Sequence, residues 1–241
     1  MPKLKTPRSN RPAGQKSRFD KTSGELLEIY SKLLNHFGHR RWWPGDTPFE
    51  VCVGAILTQN TAWTNVEKAI KNIKEAGLMD PFQLLDADDA EIGKLIKPSG
   101  YYNIKTKRLK AFLEVLVEKY HGDISGIGIE GTGRARSILL DINGIGNETA
   151  DSILLYAAGL PVFVVDAYTK RIFTRLGFFK EGGERNSDGY MEVQAFFMQN
   201  LPEDLDLFKD YHAQIVELGK NYCHKNKPEC DSCPVRKLCS R

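Results

Sequence analysis

The stretch that most constrains the fold of this chain covers residues 141–177, DINGIGNETADSILLYAAGLPVFVVDAYTKRIFTRLG. Apolar residues recur at helical spacing on both sides of Gly144-Ile145-Gly146, and two glycines around one apolar residue permit a tight reversal with positive φ. The stretch therefore predicts a helix, a short hairpin and a second helix. Such a hairpin directs backbone N–H groups and a helix N-terminus at one point, which suits a phosphate whatever the base sequence.

A short apolar run, residues 162–165, follows the hairpin and ends in Asp166. It is strand-like, but it is too short and too isolated to build a sheet. If the chain folds back at this run, the carboxylate of Asp166 lies near the predicted phosphate-binding hairpin.

Nearly all remaining segments also have helical period, so the predicted class is all-α. A Thr47-Pro48 start and a Gly38 stop are typical of helix ends. The helices are expected over residues 24–37, 49–60, 64–76, 81–85, 88–96, 190–200 and 205–222, and Leu109, Phe112, Leu113 and Leu116 mark a longer helix that reaches Tyr120.

The composition, 41% hydrophobic and 27% charged over 241 residues, is that of a soluble globular protein of one or two domains. No apolar run approaches the length of a membrane span and no signal-peptide core is present, so an intracellular protein is expected.

A net charge of +3 is compatible with a polyanionic partner without establishing one. Residues 1–22 are basic and rich in proline, and predict a disordered arm that either contacts DNA without specificity or is a solvated tail.

Four of the five cysteines, Cys223, Cys230, Cys233 and Cys239, lie close together with the spacing C-x6-C-x2-C-x5-C. Without a secretion signal, such a group indicates a metal site rather than disulfides. Four thiolates from one loop can complete a [4Fe–4S] cluster or bind one zinc ion, and the single close pair favours the cluster while leaving zinc open. Its first role would be to fold a loop that has no core of its own.

The hairpin, the Val164-Val165-Asp166 segment and the cysteine spacing together resemble the endonuclease III branch of the helix-hairpin-helix DNA glycosylases. The resemblance covers about residues 24–239. It implies a two-domain all-α fold around a DNA groove, with a [4Fe–4S] cluster on the four cysteines. A six-helix domain would cover residues 46–160 and end in the hairpin. Residues 23–45 and 161–241 would form the second domain, with the cluster loop at residues 223–239.

The resemblance further implies that the partner is duplex DNA containing a damaged base, which is extruded into the interdomain pocket. Neither a membrane nor a second copy of the chain is expected as a partner, so the protein is expected to be a monomer. The hairpin residues Gly144, Ile145, Gly146 and Asn147 are the expected DNA contacts.

Asp166 matches the catalytic aspartate of the family, where a carboxylate stabilises positive charge on the sugar and orients or deprotonates water. The alternative is that Asp166 caps the helix that starts at Ala167, and both roles can hold together. Bifunctional members carry a lysine nucleophile at the position of Glu148. A glutamate cannot form the imine, and Lys170 is not at the matching position. The expectation is therefore a monofunctional glycosylase that leaves the abasic site uncut.

The aromatic loop of residues 39–49 resembles the 3-methyladenine DNA glycosylase members more than the thymine-glycol enzymes. Trp42, Trp43 and Phe49, with Glu148, are the predicted base pocket, because aromatic walls can hold cationic alkylated purines by cation–π attraction. The alternative is that the two tryptophans are packing between domains. The lesions left open are oxidised pyrimidines, uracil and mismatched thymine, and a non-catalytic DNA-binding protein is a further alternative.

Gln59 and Asn60 lie where the family places a polar residue that fills the gap left by the flipped nucleotide. The sequence does not choose between them, and either amide could instead satisfy a helix end. Lys220 and Tyr168 are expected near the groove without an assigned role.

Overall fold

The computed structural model describes residues 13–40, 42–180 and 189–239, with side chains described from residue 22 onward. These residues form α-helices joined by loops, and no β-strand occurs within the described ranges. The helices are α1 (Ala13–Phe37), α2 (Pro48–Leu57), α3 (Trp63–Glu75), α4 (Pro81–Asp86), α5 (Asp89–Leu95), α6 (Tyr102–Tyr120), α7 (Ile124–Ile129), α8 (Thr132–Leu140), α9 (Asn147–Ser152), α10 (Ala167–Arg175), α11 (Tyr190–Asn200) and α12 (Leu205–Asn221). The predicted all-α class is confirmed for the described residues.

The start of α1 differs from the prediction. The helix begins at Ala13, whereas a disordered arm was expected over residues 1–22. The added segment, AGQKSRFDKTS, is rich in residues of good helix propensity, so a helix can extend there although the apolar periodicity is absent. Residues 1–12 of the predicted arm lie outside the described residues.

The central helix α2 shows why local sequence signals predicted most helix boundaries closely. Thr47 is its N-cap and accepts a hydrogen bond from the Glu50 backbone N–H, and Pro48 occupies the first turn. Residues 49–57 are all buried, as expected for a helix that is apolar on most sides. The helix ends at Leu57, before the expected end at residue 60, and the polar residues 58–61 form a loop.

Two helical segments were not predicted in their observed form. α7, with the sequence ISGIGI, has two glycines in six residues and therefore gave no clear helical pattern. α9 continues through Ile153–Ala157 as one turn of π-helix, a form that often marks functional sites. The run 162–165 is extended and buried but pairs with no strand in the described chain.

The helices pack in two groups that meet at a cleft. α2 packs against α3, α6 and α9, and α4 and α5 pack against α6. In the other group, α1 packs against α11 and α12, and α10 packs against α12. The π-helical turn Ile153–Ala157 contacts both α2 and α12, so the segment after the hairpin connects the groups.

No helix in the described part of the chain is both long enough and apolar enough to cross a membrane.

Candidate active site

The hairpin between α8 and α9 is formed as the glycine pattern predicts. Gly144 adopts a φ of +86°, and a Cβ atom there would lie 2.3 Å from Cγ of Arg108, so a larger residue would be strained and would displace the Arg108 side chain. The Ile145 side chain is buried and its N–H donates to the Ile142 carbonyl, which closes the turn. Asn147 begins α9, whose N-terminus points into the adjoining cleft.

Asp166 is held firmly at the N-terminus of α10. Its Oδ1 accepts hydrogen bonds from the Thr169 N–H at 2.6 Å and the Thr169 hydroxyl at 2.8 Å. Only 8% of the residue is exposed. Burial by itself would raise the pKa of this carboxyl, but the neighbouring His212 and the Thr169 hydrogen bonds outweigh burial, so the pKa of Asp166 lies below its ordinary value. Asp166 is therefore both the helix cap and an anion at neutral pH.

His212 on α12 lies behind this carboxylate, with its Nε2 3.6 Å from Asp166 Oδ2. This distance is too long for a hydrogen bond, and Nε2 is buried without a partner among the described residues. The other ring nitrogen, Nδ1, lies 2.6 Å from the Tyr156 hydroxyl, which also lies 3.2 Å from the Lys209 carbonyl oxygen. If the hydroxyl donates to Nδ1, or if the ring is doubly protonated, Nε2 carries a proton toward Asp166. Both arrangements favour the Asp166 anion.

Asp166 opens into a cleft of about 1070 Å³ between the two groups of helices. Most predicted site residues line this cleft: Trp42, Trp43, Gln59, Asn60, Gly144, Gly146, Asn147, Glu148 and Asp166. Phe49 and Ile145 do not line the cleft, and both side chains are buried in the hydrophobic core. Phe49 therefore belongs to the packing of α2 and not to the wall of the cleft.

Glu148, in the first turn of α9, faces the open space of the cleft and is exposed there. The surrounding protein desolvates its carboxyl and the charge of Asp166 repels its anion, and together they raise the pKa of Glu148 to about 7. His212 and Lys170 oppose this shift only in part. The two carboxyl groups of the cleft thus favour opposite protonation states.

Three tryptophans form an aromatic wall of the cleft. The ring centroids are 5.8 Å apart for Trp42 and Trp43, 5.9 Å for Trp42 and Trp63, and 5.5 Å for Trp43 and Trp63. The Nε1 atoms of Trp42 and Trp43 are buried and have no hydrogen-bond partner in the part of the chain that the structure describes. Trp63 was missed by the sequence reasoning, although it was the remaining tryptophan and follows directly after the polar loop.

Lys220 and Tyr168 both line the cleft, as expected. The Nζ of Lys220 lies 5.0 Å from the centroid of the Trp42 ring, a cation–π distance. Tyr168 packs over Gly219, where a Cβ atom would lie 2.1 Å from the tyrosine ring. Because Lys220 lies over the Trp42 ring, that face of the ring already accommodates a positive charge.

The polar loop of residues 58–61 distinguishes Gln59 from Asn60. Gln59 Nε2 donates to the Gly144 carbonyl at 3.0 Å and to the Thr149 hydroxyl at 2.9 Å, and Gln59 Oε1 accepts from Arg108. Asn60 has a φ of +53° and an exposed side chain. Gln59 thus fastens the loop to the hairpin, while Asn60 extends from it.

The same loop is anchored from below by Lys105. Its Nζ is buried and donates to the carbonyls of Leu57 and Ser99 and to the Thr61 hydroxyl. Burial, and after it the charge of Arg108, lower the pKa of Lys105 to about 8. The cation satisfies carbonyl groups at the end of α2, where the helix dipole is negative.

A buried ion pair orients the hairpin. Asp151, which is fully buried, accepts from Arg136 at 2.7 Å and also from Tyr190 and Gln194. Arg136 donates in addition to the Asn147 side chain. This network joins the hairpin to α11, and no sequence pattern pointed to it.

The four predicted metal ligands converge on a second cavity. Cys223, Cys230, Cys233 and Cys239 all line it. Burial raises the pKa of the Cys233 thiol, and the charges of Cys223, Cys239 and Cys230 raise it further, so Cys233 lies within electrostatic range of each of the other three thiols. No set of three or more His, Cys, Asp or Glu side chains in the described ranges is spaced to hold a single metal ion. The donor set, four thiols around one cavity, fits a thiolate-bound metal group.

Comparison with known proteins gives a consistent result. Residues 53–203 match the family model described as HhH-GPD superfamily base excision DNA repair protein. A putative DNA repair glycosylase of Methanocaldococcus jannaschii is 48% identical over 216 residues, which are 89% of this chain and 95% of the relative. The predicted membership of the helix-hairpin-helix glycosylases is confirmed by these matches.

Two solved structures have the same fold. A non-covalent endonuclease III–DNA complex superimposes with a TM-score of 0.75 at 23% identity, covering 90% of this chain and 95% of the other. The 3-methyladenine DNA glycosylase of H. pylori bound to 1,N6-ethenoadenine superimposes with a TM-score of 0.69 at 28% identity, covering 84% and 97%.

Proposed function

The chain belongs to the HhH-GPD superfamily of base excision DNA repair proteins and is a DNA glycosylase, and from this premise we propose that it is monofunctional and removes alkylated purines from duplex DNA. The observation that carries the proposal is the Asp166 anion at the cleft, held by Thr169 and faced by His212. Such a carboxylate can stabilise the oxocarbenium-like state of the sugar and deprotonate water at C1′.

Glu148 supports the monofunctional part of the proposal. It occupies the hairpin position at which a lysine would attack the sugar, and it lines the cleft. A carboxyl group forms no Schiff base, so water is the nucleophile and the DNA strand stays intact after the base is released.

The aromatic wall supports the alkylated-purine part. Trp42, Trp43 and Trp63 present large rings to the cleft, and the face of Trp42 tolerates the positive charge of Lys220. One of the solved structures with the same fold is a 3-methyladenine DNA glycosylase bound to 1,N6-ethenoadenine. A flipped purine would stack on this wall while its sugar meets Asp166.

The remaining parts of the proposal concern the scaffold. The two groups of helices would be the predicted domains on either side of the DNA groove, and the chain would act as an intracellular monomer. Asn60 would fill the gap in the duplex, because Gln59 is already bonded to the hairpin.

We further propose that the four cysteines hold a [4Fe–4S] cluster, which would fix the C-terminal loop in its fold. Arg175 supports this loop by donating to Cys223 Sγ at 3.1 Å and to the carbonyls of His224 and Lys225. Iron and acid-labile sulfide should be found at about four of each per chain. One zinc per chain without sulfide would contradict the cluster.

A panel of labelled duplexes tests the activity. Each carries one lesion: a methylated purine, uracil, thymine glycol or a mispaired thymine. The methylated purine should be released, with strand breaks only after hot alkali, and borohydride should trap no covalent adduct. Breaks without alkali, or a trapped adduct, would contradict the monofunctional mechanism. Release of another lesion alone would reassign the substrate, and release of none would favour a DNA-binding protein without catalysis.

A further inference from the structure

Two carboxyl groups from separate helices face the same cleft, and they differ in burial and in hydrogen bonding. Asp166 is buried and receives two hydrogen bonds from Thr169. Glu148 is exposed to the cleft, and its carboxylate makes no hydrogen bond or ion pair within the described parts of the chain. A bound base would therefore meet Glu148 as an accessible group and Asp166 as a fixed one.

The groups facing Glu148 come from three helices. α10 contributes Lys170 and its N-cap Asp166, α12 contributes His212, and α11 contributes Tyr190. Desolvation by the walls, followed by the charge of Asp166, raises the pKa of Glu148 to about 7. The group is therefore substantially protonated at neutral pH and loses its proton as the pH rises above 7. A base entering the cleft would displace water and favour the neutral form further.

We propose that Glu148 is a catalytic general acid, which donates its proton to a ring nitrogen of the departing base and extends the substrate range to uncharged damaged purines. This inference rests on the proposed function, because it assumes a purine in the cleft. Paired carboxyl groups with opposite protonation states are the arrangement by which glycoside-cleaving sites divide acid and anion roles.

The step balances with water as the only co-reactant. The bond from C1′ to the base nitrogen breaks and its electron pair goes to the base, which receives the Glu148 proton. A bond from C1′ to the oxygen of water forms, and the excess proton of that water passes through Asp166 back to the Glu148 carboxylate. The products are the free base and an abasic sugar with a hydroxyl at C1′.

The charge of the lesion decides whether this proton is needed. A purine that is cationic through alkylation leaves as a neutral molecule without protonation. An uncharged purine leaves as an anion unless an acid supplies a proton, and positioned acids contribute about 10²–10⁴-fold to rates. The role of Glu148 should therefore appear with uncharged lesions and vanish with cationic ones.

Glu148→Gln separates these cases, because it keeps the size of the side chain and removes the transferable proton. Single-turnover release is measured from duplexes with 7-methylguanine, which is cationic, and with 1,N6-ethenoadenine, which is uncharged. We expect about a 100-fold loss on 1,N6-ethenoadenine and a loss on 7-methylguanine that is at least about tenfold smaller. Glu118→Gln, an exposed substitution on α6 outside the cleft, is the matched control and should change neither rate.

The pH profile supplies the second readout. Wild-type release of 1,N6-ethenoadenine should fall as the pH rises through about 7, whereas the profile of Glu148→Gln should be flat in that range. Equal losses on both lesions, or no loss on either, would overturn the acid role. Wild-type release of 7-methylguanine alone would also overturn it while leaving the proposed function standing. Release of neither would overturn both.

Discussion

The two sides of the cleft differ in how far their polar groups are already buried and hydrogen-bonded within the protein. On the side of α10 and α12, Asp166 is buried and hydrogen-bonded, with His212 and Tyr156 behind it. On the other side, the aromatic wall presents half-buried rings and the loop of residues 58–61 presents the exposed amide of Asn60, while the buried Nε1 atoms of Trp42 and Trp43 lack partners among the described residues. The first side is preorganised before any ligand arrives, whereas the second leaves surface for a ligand to cover.

The two sides are therefore suited to two different functions, the stabilisation of developing charge and the binding of a ligand. A group that stabilises developing charge is most effective when its orientation is already fixed, because no reorganisation is then needed during the reaction. Groups that select a ligand gain binding free energy by covering apolar surface and completing hydrogen bonds. Substitutions on the first side should therefore affect the rate of the chemical step, and substitutions on the second should affect binding.

The largest effect is expected for Asp166→Asn, which would lower the single-turnover rate by about 10²–10⁴-fold. Asparagine also caps helices, so the melting temperature should change little while the charge is lost. Asp204→Asn alters the cap of α12 outside the cleft and is the matched control, which should keep full activity. A variant at Asp166 that retains activity within a few-fold would show that the preorganised side does not carry the chemistry.

A smaller effect is expected for the aromatic wall. Replacing Trp42 and Trp43 by Ala should reduce excision by about 100-fold, because stacking on each ring contributes about 1–3 kcal/mol. The absorbance of the proposed cluster should stay intact. Replacement of both by Phe keeps aromatic faces and should retain most activity. Loss of the absorbance together with the activity would instead identify the two rings as packing between domains.

The smallest effect is expected in the loop of residues 58–61. Asn60→Gly, which suits the positive φ, should weaken excision from duplex DNA about tenfold without changing the melting temperature. Gln59→Ala should lower the melting temperature, because it removes the hydrogen bonds to Gly144 and Thr149. The reverse pattern would make Gln59 the residue that enters the duplex.

The sequence predicted most of the scaffold because the deciding signals were local. The caps of α2 and α10, the glycines of the hairpin and the ends of α11 followed from residues a few positions apart. The exceptions have local causes too. α1 extends to Ala13 through helix propensity without apolar periodicity, and α7 contains glycines that weaken its pattern.

The placement of Phe49 shows where such reasoning stops. Because α2 is apolar on most sides, its sequence did not indicate which face would border the cleft. In the structure, Phe49 is buried in the core. Trp63, His212 and Tyr156 were not predicted as site residues. Trp63 and His212 reach the cleft from separate helices, Tyr156 contacts His212 from behind, and no spacing in the chain links the three.

The sequence by itself determined the all-α class, the hairpin, the position of Asp166, the glutamate in place of a lysine and the grouping of four cysteines, because each depends on residue identity and short spacing. The tertiary structure alone decided the opposite pKa shifts of Asp166 and Glu148, the aromatic wall of three rings and the hydrogen bonding of Gln59 to the hairpin. Those properties depend on desolvation and on charges brought together from distant helices, and neither is encoded in any single segment.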